Sequence, residues 1–83
     1  MDHYLFLARN VTAAQRMREA LAKGGIRCAV QRAPTGLSKQ GCSYALRIGT
    51  AHYREALALI RPLGLDPFGI FLYVNGTYRE VTP

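Results

Sequence analysis

At 83 residues the chain has room for one domain and no second, and folding such a chain buries only about 60% of its unfolded surface or slightly more. A composition that is 49% hydrophobic excludes intrinsic disorder, and no apolar run reaches the roughly 18 residues of a membrane span. Eleven Lys and Arg against five Asp and Glu give a net charge of +6, scattered along the chain rather than gathered in a tail, which favours anionic partners or substrates.

The start, Met1-Asp2-His3-Tyr4, lacks the basic region and small-residue cleavage site of a secretory signal, so the expected location is the cytoplasm. His3 to Ala8, with Tyr-Leu-Phe-Leu at its centre, has the length and aromatic content of a buried first strand. Asn10 or Thr12 then caps a helix, Thr12 and Gln15 having the spacing of a capping box. Ala13, Met17, Ala20 and Leu21 follow helical spacing, and Gly24-Gly25 supplies a left-handed stop.

Ile26, Cys28 and Val30 alternate with Arg27, Ala29 and Gln31, the period-two pattern of a half-buried strand, which turns Cys28 into the core. Pro34 and Gly36 open a loop that runs to Gly41, after which Tyr44, Leu46 and Ile48 alternate with Ser43, Ala45 and Arg47 as a third strand. Tyr53, Ala56, Leu57 and Ile60 have the spacing of a second amphipathic helix ending near Pro62 and Gly64. Phe68 to Val74 reads as a fourth strand, and Asn75-Gly76 is a two-residue hairpin turn returning Thr77 to Val81 as a short edge strand.

The order strand, helix, strand, strand, helix, strand specifies an α+β fold, the ferredoxin-like split βαβ plait. Right-handed crossovers place its antiparallel strands in the order 4-1-3-2 with both helices on one face, and residues 76–83 add a C-terminal hairpin strand beyond strand 4. In this plan the turn after strand 1, the loop between strands 2 and 3, and the turn before strand 4 emerge at one end. Cys42, at the junction of that loop with strand 3, is the residue best suited to chemistry. It is expected near Arg9, Asn10 and Asp66. The amides and partial charge of the helix N-terminus, with Arg9, Arg16, Arg32 and Lys39, favour its thiolate and predict a lowered pKa.

A disulfide between Cys28 and Cys42 is rejected, because pairing of the hairpin sets Cys28 opposite a residue near Leu46, several positions out of register. His3 and His52 are expected far apart, with neither placed as a base for Cys42, and no metal-ligand spacing or cofactor motif occurs. A basic plait raises RNA binding as an alternative, but strand 3 offers Ser43, Ala45 and Arg47 to the face away from the helices, without a stacking ring.

Ala33-Pro34-Thr35 through Leu37-Ser38, then Gly41-Cys42, then Ala45-Leu46-Arg47, resembles the small bacterial family described as "Putative Se/S carrier protein-like". The likeness runs to about Val74, includes the Gly25-Ile26 turn, and is most specific from Pro34 to Arg47. Glycine often follows the cysteine in that family, whereas here Gly41 precedes it and Ser43 follows. The resemblance implies that Cys42 is a carrier thiol.

On this reading Cys42 accepts sulfur or selenium, as a persulfide or selenylsulfide, from a donor such as a cysteine desulfurase, and a partner protein collects it. Gly41 and Ser43 give access, Arg32 and Lys39 stabilise the anion, and catalysis in the strict sense belongs to the partners. The rival is an interaction domain that forms a homodimer through an open sheet face of His3, Leu5, Leu7, Phe71 and Tyr73.

Overall fold

A computed structural model describes residues 2–34, 36–37 and 44–81. Its elements are β1 (His3–Ala8), α1 (Val11–Lys23), β2 (Val30–Arg32), β3 (Tyr44–Gly49), α2 (Tyr53–Ile60), β4 (Gly69–Val74) and β5 (Thr77–Glu80), with short 3-10 turns on either side of α2. The fold is α+β: two helices and one five-stranded antiparallel sheet in the order β2-β3-β1-β4-β5. β5 is a full member of the sheet, paired with β4 from Phe71↔Glu80 to Val74↔Thr77.

Local chemistry explains most of the boundaries. Asn10, in extended conformation, accepts the Ala13 N–H on its Oδ1 at 2.8 Å and caps α1. The cap is therefore Asn10 and not Thr12, which lies exposed inside the first turn, and the expected capping box does not form. At the other end Gly25 takes φ +89, its N–H bonds to Ala22 O, and the Ile26 N–H reaches back to Leu21 O at 2.9 Å. This is a Schellman closure, and Ile26 and Leu21 make its apolar contact inside the core. At the hairpin, Asn75 at φ 51 and Gly76 at φ 79 give the two left-handed residues of a type I′ turn.

The second strand departs from its expected position. Pairing with β3 begins only at Val30↔Leu46 and ends at Arg32↔Tyr44, so β2 has three residues, and 26–29 lies outside the ladder. The reason lies in the helix closure. The Ile26 N–H is committed to Leu21 O, and the residues after it carry the chain from the end of α1 to the edge of the sheet.

Both helices cover one face. Phe6, Ala8, Leu46, Ile48 and Ile70 of the sheet meet Ala14, Met17 and Leu21 of α1 and Ala56, Leu57 and Ile60 of α2 in one buried cluster. Tyr53, the first residue of α2, stacks on Tyr4 at 4.2 Å between ring centroids and sets its edge against Phe6.

The opposite face is not open. Leu5 is 0% and Leu7 1% exposed, and with Ala45 they form a second cluster under Ala33, Leu37, Phe68 and Phe71. The expected dimerisation face of His3, Leu5, Leu7, Phe71 and Tyr73 is thus corrected: the chain's own residues cover its centre. Its margin is aromatic, with His3 stacked on Tyr73 at 5.0 Å and Tyr73 tilted against Tyr78 at 4.8 Å.

Candidate functional site

The sheet register decides which ends of the elements meet. Ala8, the last residue of β1, lies beside Tyr44 at the start of β3, and Tyr44 lies beside Arg32 at the end of β2. The chain that leaves at Arg32 therefore comes back beside it at Tyr44, next to Arg9 and the N-terminus of α1. Arg9, Asn10 and Arg32 are all exposed at this end. The remaining expected site residues, Lys39, Gly41, Cys42 and Ser43, lie outside the described residues, and so does the expected proximity of Cys42 to Asp66.

Between α1 and the turn leading into β4 is a cleft of about 400 Å³. Met17, 2% exposed, belongs to its apolar base with Ala13, Leu65 and Phe68, while Arg9, Asn10 and Asp66 bring the polar atoms at its exposed side. The position of its far wall follows from backbone bonds. Gly64 N–H to Arg61 O and Leu65 N–H to Ile60 O close the turn after α2, and the Phe68 N–H donates to Leu7 O at 2.8 Å. Phe68 was expected inside the fourth strand. It lies one residue ahead of β4, on a bend.

Arg9 sets its guanidinium carbon 5.3 Å from the centre of the Phe68 ring, a cation–π contact that orients the charge without neutralising it. Among the described residues Arg9 has no ion pair. Asp66 faces Arg61, with Oδ1 3.4 Å from Nε. The first turn of α1 contains no acidic residue, so no side-chain charge there opposes the positive end of the helix dipole.

The other titratable candidates stand apart from this end. Cys28 is a free thiol, half-buried against the helix-side core. Burial pushes its pKa up, and the Arg18 guanidinium offsets part of that rise, so it is the poorer nucleophile that its position implies. His3 pairs across the ladder with Gly49, and His52 follows three residues later, so both histidines lie at the end of the sheet away from Arg9. This corrects the expectation that the two lie far apart in the plan, and neither is at the end from which the Cys42 segment leaves. His52 Nδ1 is 3.9 Å from the Glu55 carboxylate. No group of three His, Cys, Asp or Glu with metal-binding geometry occurs among the described residues.

Sequence reading missed the cleft, because it depends on the path of Gly64 to Phe68 after α2. The Pro62, Gly64 and Pro67 spacing marks a turn there, but not the wall it builds against Met17. No helix of the described residues is long and apolar enough to cross a membrane.

The family model described as "Putative Se/S carrier protein-like" matches residues 3–72, from β1 into β4. No curated protein and no solved structure matches the chain.

Proposed function

The chain belongs to the Se/S carrier-like family, and from that premise we propose that it carries sulfur or selenium on Cys42 for transfer to a partner protein. The single observation that supports a carrier site at this end is the register Ala8↔Tyr44↔Arg32. It brings the Tyr44 end of the Cys42-bearing segment beside Ala8, next to Arg9 and the start of α1, with the Arg32 end one strand further on. Cations and helix amides at this end favour a thiolate, a persulfide or another anion.

In loading, the Cys42 thiolate attacks the terminal sulfur of a donor persulfide, R–S–SH. A new S–S bond forms, the donor's S–S bond breaks, and R–S⁻ leaves with the electron pair, so Cys42 holds the persulfide without net oxidation. A nucleophile of the acceptor takes the same terminal sulfur and releases Cys42 as thiolate. A selenylsulfide follows the same course with selenium as the transferred atom. Arg9 and Arg32 bear on the anionic forms, Gly41 and Ser43 leave the thiol accessible, and Lys39 adds charge to the segment. The domain, taken as residues 1–83, works in the cytoplasm between a donor such as a cysteine desulfurase and an acceptor protein.

The test is intact-protein mass spectrometry after incubation with a cysteine desulfurase and cysteine. The wild type and Cys28→Ala gain about 32 Da, one sulfur atom, and Cys42→Ser does not. A chain with free thiols that gains no sulfur, or gains it equally in Cys42→Ser, would falsify the carrier reading.

A further inference from the structure

We propose that the cleft between α1 and the turn into β4 binds a small organic carboxylate with an apolar body, Arg9 receiving the carboxylate and Met17, Leu65 and Phe68 the body. The cleft's volume, about 400 Å³, falls near the lower end of the roughly 300–1,000 Å³ common to small-molecule sites, which suits a ligand of few heavy atoms. Its chemistry is divided: an apolar base around the buried Met17, and charge only at the exposed side. A ligand that fits both parts is amphiphilic.

The sign of its charge follows from the pairing of the side chains. Arg61 is the ion-pair partner of Asp66, so that carboxylate adds little net negative charge, whereas Arg9 has no acidic partner among the described residues. The Phe68 ring holds the Arg9 guanidinium over the cleft wall and leaves its N–H donors for a planar acceptor, which a carboxylate matches in two parallel bonds. The positive end of α1, without an acidic residue in its first turn, adds to the same preference. This inference does not depend on sulfur loading at Cys42, and its test involves no thiol chemistry.

The experiment is a titration of the ¹⁵N-labelled full chain with hexanoate and phenylacetate, followed by amide shifts. Hexanamide serves as the uncharged isostere of hexanoate, and inorganic phosphate as an anion without an apolar body. Hexanoate is expected to shift the amides of Arg9, Asn10, Ala13, Leu65 and Phe68 saturably, with hexanamide and phosphate each about tenfold weaker or more. Arg9→Gln, at an exposed position, weakens hexanoate by about the same factor, and Ala13→Phe, which fills the cleft, abolishes the shifts while the helical circular dichroism stays unchanged. Equal binding of hexanamide removes the role of Arg9, equal binding of phosphate removes the apolar body, and unsaturable shifts or shifts elsewhere in the sheet remove the site.

Discussion

The helix-side face of the sheet and the face behind it both exclude water, but they are covered by residues of different kinds. On the helix side Phe6, Leu46, Ile48 and Ile70 meet two regular elements whose apolar residues recur at helical spacing. Behind the sheet Leu5, Leu7 and Ala45 are as dry, yet their cover is Ala33 and Leu37 from the chain after β2, with Phe68 and Phe71 from the approach to β4 and from β4 itself. The first cover is held by backbone ladders of its own. The second includes no helix: Phe71 is held in the ladder of β4 and the Phe68 N–H is bonded to Leu7 O, whereas Ala33 and Leu37 come from the chain after β2, next to the ends of β2 and β3 that bound the Cys42 segment.

The largest test of this contrast is Phe6→Ala. Phe6 is fully buried between β1 and both helices, and truncation is expected to cost about 3–5 kcal/mol, because helices tied at both ends cannot collapse into the void. Leu7→Ala, on the other face, is expected at the lower end of the roughly 2–5 kcal/mol range for buried leucines, since no helix packs on that face and the side chains of Ala33 and Leu37 can settle into the space. Urea unfolding of both variants reads the difference. A Leu7→Ala loss equal to that of Phe6→Ala would show that the two covers are equally rigid.

Leu37→Ala sharpens the comparison. Leu37 is partly exposed and packs on the second cluster, so its loss is expected to cost about 1 kcal/mol. If the residues after β2 merely drape over the sheet, the urea midpoint does not move.

The same division separates what could be read in the sequence from what could not. Helix α1 is legible because its signals are local: Asn10 caps it, Gly24-Gly25 closes it, and Met17 and Leu21 mark its buried stripe. The hairpin at Asn75-Gly76 is legible for the same reason, both residues requiring positive φ. The alternation of Ile26, Cys28 and Val30 is a genuine strand pattern, but the bond from Ile26 to Leu21 O holds the first of these residues at the helix end, and pairing starts four residues later. Leu37 and Ala33 carry no periodicity, so nothing in their spacing marks them as the cover of a second core. At the candidate site, the placing of Arg9, Asn10 and Arg32 at one end of the sheet follows from the strand directions. The cleft does not, because it needs the turn at Gly64 and the ring of Phe68 in place.

Cys28 supplies the smallest effect, on the helix side. Its burial raises the thiol pKa, the Arg18 guanidinium lowering it in part, so the folded chain holds the proton more tightly than the unfolded one. An unfolded thiol titrates near about pH 8.5, and the stability tied to this proton is whole below that value and is lost as pH rises through the higher folded pKa. In a Cys42→Ser background, the stability of the chain should therefore fall more steeply above about pH 8.5 than that of the same chain carrying Cys28→Ala. Arg18→Gln removes the opposing charge and should steepen the fall further, because the thiolate it favoured in the folded state becomes costlier. Parallel pH profiles for the chains with and without the Cys28 thiol would mean that the thiol is as well solvated as in the unfolded chain. The helix-side core would then end at Ile26, short of the Cys28 thiol.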